Sequence, residues 1–164
     1  MDIVTLLSTD RIVFEPEVSS KKRAFEVLSG LLRRDIRDHE LSADSVFDAL
    51  TSREKLGSTA LGNGIAIPHA CMPTPDPQAA MLILEEGIKM DAPDKKPVHL
   101  LLALLVPQDN HEACRPLLRE LTIHLNRRDL VQQFLQYREP RHALITCRPC
   151  SFVTLPPEDD TRAE

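Results

Sequence analysis

One histidine in this chain stands where a reactive side chain would be presented. In Gly62-Asn63-Gly64-Ile65-Ala66-Ile67-Pro68-His69-Ala70, two glycines make a backbone-permissive turn and Ile65 and Ile67 alternate as in a half-buried strand. Pro68 is then expected to stop the ladder, leaving His69 at a strand end and clear of the sheet. Neutral imidazole is a nucleophile near pH 7 that bonds reversibly and leaves readily, which suits the carriage of a transferable group. Upstream, Arg53 precedes the turn Gly57-Ser58-Thr59. Its planar fork matches two oxygens of a phosphoryl group. The hydroxyls of Ser58 and Thr59, with backbone N–H groups in the glycine turns, could complete a cradle for developing negative charge. Strand-end histidines and turn-capping hydroxyls are also common in their own right, so local chemistry leaves both readings open.

The two segments together, Arg53-Glu54-Lys55-Leu56-Gly57-Ser58-Thr59 and Gly62 through His69, resemble the active-site signature of the enzyme IIA proteins of the bacterial phosphoenolpyruvate-dependent phosphotransferase system. The resemblance is to the nitrogen-regulatory branch, related to the fructose- and mannitol-type IIA domains, and covers about residues 1 to 146. It implies that His69 is the phosphoacceptor, that Arg53 stabilises the phosphoryl group, and that the donor is a phosphorylated histidine-containing carrier protein. It also implies a mainly regulatory output, in which the phosphoryl state decides binding to a transporter, kinase or transcription factor. Two other readings stay open: a binding module of the same fold acting through Cys71, Cys114 and His69 as a thiol or metal sensor, and a sugar-specific, fructose-type component. One position departs from the family pattern. A second histidine expected on the helix after Val106-Pro107 corresponds to Cys114 here, with His111 three residues earlier. Either His111 reaches the site from one turn back, or it caps the helix start and that role is lost.

Composition bounds the alternatives. A chain of 164 residues suits one domain with a proper core. Hydrophobic residues make up 42% and aromatics 4%, with no tryptophan, so the core must be aliphatic. A net charge of -5 argues against direct binding of nucleic acid or of an anionic membrane. No segment reaches the roughly 20 apolar residues of a membrane span, and the N-terminus lacks a secretion signal, so a cytoplasmic location is expected. The four cysteines would then remain thiols. No Gly-Lys-Ser/Thr phosphate loop is present, so the phosphoryl donor should be a protein and not a nucleotide. No obligatory metal is expected, because the carboxylates show no clustered site, and no cofactor is expected either.

Elements must hold these residues in place. Apolar spacing predicts a brief strand at 11–14, a helix after Ser19-Ser20, and a second helix from Ser42 with Arg53 near its end. Residues 72–77, with three prolines, are expected to be an irregular loop. Strands follow at 80–84 and, as a separate short candidate, at 87–90, then the continuously apolar 98–106, whose two apolar faces mark a central strand. A helix is expected over 111–125, continuing through 128–137, and a final helix over 141–146. The result is a single α/β domain, residues 1–146, with a mixed central sheet flanked by helices. Residues 147–164 form a Pro-rich, acidic tail expected to be disordered; Cys147-Arg148-Pro149-Cys150 has the spacing of a redox pair, but half a zinc site at most. Of the other histidines, His99 is expected to be a satisfied sheet residue, and His39, His124 and His142 to lie at the surface.

Overall fold

The computed structural model describes residues 3–15, 17–34, 36, 41–74 and 77–147, without the side chains of Asn110, His111 and Ala113. A short helix, α1 (Ile3–Leu6), leads into β1 (Leu7–Phe14). Helix α2 (Lys21–Arg33) starts where the Ser20 hydroxyl accepts from the Arg23 N–H. Helix α3 (Ala43–Lys55) starts at a reciprocal cap between Ser42 and Ser45. Strands β2 (Ala60–Gly62), β3 (Ile65–Ala66), β4 (His69–Met72), β5 (Gln78–Ile88) and β6 (Val98–Pro107) follow. A 3₁₀ turn then leads into α4 (His111–Leu125), α5 (Leu130–Gln136) and α6 (Pro140–Thr146). No helix among the described residues is long and apolar enough to cross a membrane.

The sheet runs β1-β5-β6-β3-β2, with β4 also on β6. Strands β5 and β6 are antiparallel, with Ala80 opposite Ala103 and Leu82 opposite Leu101. Strand β1 lies parallel to β5, and β3 and β4 parallel to β6, while β2 is antiparallel to β3. This is the mixed sheet expected. Strand β6 serves both faces by simple alternation. Leu101, Ala103 and Leu105 pack with Phe25, Leu28, Val46 and Leu50 of α2 and α3. Leu100, Leu102 and Leu104 pack with Leu117, Leu121, Leu125 and Phe134 of α4 and α5. Each such Leu, Val or Phe side chain stabilises the fold by about 1.5–3 kcal/mol through removal from water, so two helical layers are clamped to one strand.

Several boundaries differ from the sequence reading. Residues 3–6 are helical, and β1 begins at Leu7 instead of 11. Strand β5 runs unbroken from Gln78 to Ile88, absorbing the start of the separate candidate at 87–90. The helix of 111–125 does not continue: the Arg127 N–H turns back onto the Leu125 carbonyl, and α5 starts anew at Leu130. Met72 belongs to β4 and not to the loop; Pro75 and Asp76 lie outside the described residues. So do residues 148–164 and with them most of the expected tail, whereas Cys147 is fully buried at the end of α6.

The hairpin between β2 and β3 turns on two residues, with φ of 57° at Asn63 and 80° at Gly64, the signature of a type I′ loop whose twist matches the strands. The Asn63 N–H donates to Asp94 Oδ2 at 2.9 Å, and the Gly64 carbonyl accepts from the His99 and Leu100 N–H groups. A methyl group at Gly64 would meet Val131 Cγ2 at 3.2 Å on a backbone that already disfavours it. Gly64→Ala is expected to cost about 1–2 kcal/mol, seen as a lower urea midpoint with an unchanged m-value; a midpoint equal to that of the parent would show the hairpin to be unconstrained.

Candidate phosphoryl-transfer site

Strand β3 ends at Ala66, yet the ladder on β6 does not stop at Pro68. The Pro68 carbonyl still accepts from the Leu104 N–H, and β4 resumes the parallel pairing with His69 opposite Leu104. Proline removes a donor and leaves an acceptor, so the strand is interrupted for the one N–H it lacks. Ile65, Ala66 and Ile67 are all buried, not half-buried as expected, because helices cover both faces. His69 is thus held inside a sheet register and remains partly exposed.

The imidazole is fixed by its own chain. His69 Nδ1 lies 3.0 Å from the Ile67 carbonyl oxygen. A carbonyl can only accept, so Nδ1 carries the proton and Nε2 keeps its lone pair in the neutral ring. Burial lowers the His69 pKa below its ordinary 6.5, the bond to Ile67 opposes that shift, the Arg53 guanidinium lowers it further, and Glu54 opposes in turn. The net effect keeps the ring neutral at pH 7.

Arg53 occupies the last turn of α3, where its Nη1 donates to the Gly57 carbonyl at 3.0 Å. That bond anchors the guanidinium over the turn. Ser58 Oγ donates to the Met90 carbonyl at 2.6 Å and accepts from the Ala60 N–H. Thr59 Oγ1 donates to Glu54 Oε2 at 2.7 Å, and its carbonyl accepts from the Ile67 N–H. Both hydroxyl protons are therefore engaged by protein acceptors. Arg53, Ser58, Thr59, Ile67 and His69 line one cleft of about 200 Å³, closed on the α4 side by Leu118 and Thr122.

The structure brings together four of the five residues singled out by sequence. His111 opens α4, but its side chain lies outside the described residues. Cys114 is 2% exposed and packs in the core; burial first, and then the nearby Cys71, pushes its pKa up, which makes it a poor thiolate. Cys147, buried and pushed up to about 12, is poorer still. His99 donates from Nδ1 to the Leu84 carbonyl at 3.0 Å, satisfied as expected. His124 and His142 are half-buried and engaged instead of free at the surface: His124 Nε2 donates to the Thr146 carbonyl, joining α4 to α6, and His142 packs against Tyr137 and Phe134. His39 lies outside the described residues.

Sequence reasoning passed over Glu54, which is 7% exposed and accepts from both the N–H and the hydroxyl of Thr59. The signal was present. Val46, Leu50 and Glu54 recur at four-residue spacing and are the buried positions of α3, so a carboxylate stands where the apolar stripe predicts a hydrophobic side chain.

The chain is similar to several known proteins. A nitrogen regulatory protein of Pseudomonas aeruginosa is 40% identical over 126 residues, 76% of this chain and 80% of its own length. A nitrogen regulatory protein homolog of Haemophilus influenzae is 38% identical over 136 residues, covering 81% of this chain and 82% of its own. The crystal structure of nitrogen regulatory protein IIA-Ntr from Neisseria meningitidis superposes with a TM-score of 0.81 at 34% identity, over 88% of this chain and 98% of that one. Residues 5–147 match the family model of the phosphoenolpyruvate-dependent sugar phosphotransferase system EIIA 2 domain, and the chain belongs to that family.

Proposed function

We propose that the protein carries a phosphoryl group on Nε2 of His69 and acts in the cytoplasm as a regulator whose partners depend on that group. The donor is a phosphorylated histidine-containing carrier protein. The observation that carries the reading is the bond from His69 Nδ1 to the Ile67 carbonyl, which leaves Nε2 as the nucleophilic nitrogen. As the Nε2 lone pair bonds to phosphorus, the donor N–P bond breaks and its electron pair returns to the donor nitrogen. The ring becomes an imidazolium, and its Nδ1–H stays on the Ile67 carbonyl, which stabilises the positive charge. Phosphoryl transfer asks a protein mainly for alignment and charge stabilisation; the Arg53 fork supplies the charge. Ser58 and Thr59 act through position more than donation, because their protons are already committed.

A protein donor needs a surface to dock on. Leu56, 85% exposed just beyond α3, and Ile123, 71% exposed on α4, are large apolar side chains open to solvent on or beside the two helices that border the cleft. Adding a group of one to two negative charges there changes what the surface binds. Regulatory targets, whether transporter, kinase or transcription factor, would read that change.

The first test is direct. Incubated with phosphoenolpyruvate, the general phosphotransferase enzyme and its histidine carrier, the protein should gain one acid-labile, base-stable phosphoryl group, and His69→Ala should gain none while keeping its circular dichroism spectrum. Labelling of the alanine variant would overturn the assignment. Arg53→Lys should slow transfer roughly tenfold to hundredfold despite keeping the charge, because an ammonium cannot span two oxygens; transfer at the parent rate would reduce Arg53 to a helix-end residue.

The pH dependence has a definite sign. His69 is lowered in the folded state from 6.5, so as pH falls the unfolded chain takes up the proton first. The stability linked to neutral His69 is fully present above about 6.5 and is lost as pH falls through the folded value. Phosphoryl acceptance should follow the same limb, falling as pH drops, with its half-maximum below 6.5. Half-maximum above 6.5 would contradict the Arg53 and burial effects.

A further inference from the structure

Glu54 stands behind the Thr59 wall of the cleft and has no assigned part in the site. Both of its carboxylate oxygens lie 3.2 Å from the Thr59 N–H, and Oε2 accepts the Thr59 hydroxyl at 2.7 Å. These donors are neutral and orient the carboxylate, and Lys21, Lys22 and Lys55 are the cations that share a surface groove with it. The Glu54 side chain is 7% exposed, so water screens it weakly. It follows Arg53 directly in α3, the helix whose end forms one wall of the cleft, and Thr59, which it holds, lines that cleft and anchors Ile67 through its carbonyl. Ile67 is the residue that fixes His69. One buried carboxylate thus connects the Arg53 terminus, the Ser58–Thr59 wall and the strand that presents the imidazole.

A simple structural brace would not need a charge. An apolar residue would continue the Val46 and Leu50 stripe, and a neutral amide could take the same hydroxyl bond. Keeping an anion in a site that must receive an anion raises the energy of the loaded state. We propose that Glu54 is a positioning residue that also sets phosphoryl-transfer potential: it fastens the Thr59 wall to the Arg53 helix end, and its charge keeps the phosphoryl group on His69 labile enough to be passed on. This inference rests on His69 being the phosphoacceptor. Arg53 and Glu54, both from α3, act on the His69 ring with opposite signs, while α4 lines the cleft with Leu118 and Thr122, neither charged. Arg53 therefore favours loading and Glu54 unloading.

The test uses Glu54→Gln, which keeps size and an acceptor but removes the charge, and Glu54→Asp, which keeps the charge on a shorter arm. In Glu54→Gln the His69 ring, titrated by NMR without any phosphoryl donor, should have a lower midpoint than the parent. The equilibrium with the phosphorylated carrier should move toward phosphorylated His69 by roughly threefold to tenfold, the size of one screened charge close to the site. Glu54→Asp should restore both readouts toward the parent, even if its melting temperature falls. Parent-like titration and equilibrium in Glu54→Gln would overturn the proposal, as would a Glu54→Asp variant that behaves like Glu54→Gln, since the role would then be bracing alone. Failure of the parent itself to accept a phosphoryl group would instead refute the reading of His69, and the titration would still report whether Glu54 acts on the ring.

Discussion

A single backbone acceptor, the Ile67 carbonyl, decides what His69 can do. Held at 3.0 Å from Nδ1, it selects one tautomer, orients the ring and leaves Nε2 available. Everything needed to hold that carbonyl still is built from the two sides of the sheet. Ile67 itself is buried, its N–H is bonded to the Thr59 carbonyl, and the residue after it, Pro68, has its carbonyl on Leu104 of the central strand. The acceptor is therefore fixed by neighbours before and after it, and the imidazole gains a rigid mount without any unusual backbone at His69 itself. Such rigidity is what a transfer reaction dominated by alignment requires.

The sheet order serves the same end. Strands β3 and β4 lie on one edge of β6 with Pro68 between them, so the histidine emerges from a paired strand and not from a free loop. Helix α3 packs below this edge and α4 above it, and each ends or passes where the cleft opens. Two helical layers converge on one imidazole because the central strand is apolar on both faces and needs both to be covered. Positioning of the site is a consequence of burying β6.

Much of this was legible in the residues. The capped starts of α2 and α3, the doubly apolar β6 and the Asn63-Gly64 turn are local signals, and each is where propensity and pattern agree. The motif pointed to His69 and Arg53 as partners, and the structure puts them in one cleft. What could not be read was set by pairing across the chain. Pro68 resembles a terminator, but only the partner strand shows that its carbonyl continues the ladder. Ser58 and Thr59 resemble hydrogen-bond donors to a phosphoryl group, but their protons go to Met90 and Glu54, one of which is far away in sequence. Glu54 shows nothing in sequence of its bonds to Thr59, although its place on the apolar stripe of α3 is visible there. His124 shows the same limit, since its acceptor Thr146 lies on a different helix.

The claim that the Ile67 carbonyl selects the reacting nitrogen is tested most directly by two-bond ¹H–¹⁵N spectroscopy of the His69 ring at pH 7.5, repeated on the phosphorylated protein with phosphorus coupling resolved. The structure predicts a proton on Nδ1 and a bare Nε2 before transfer, and a nitrogen–phosphorus coupling at Nε2 with the Nδ1 proton retained after it. A ring protonated at Nε2, or phosphorus found on Nδ1, would contradict the account.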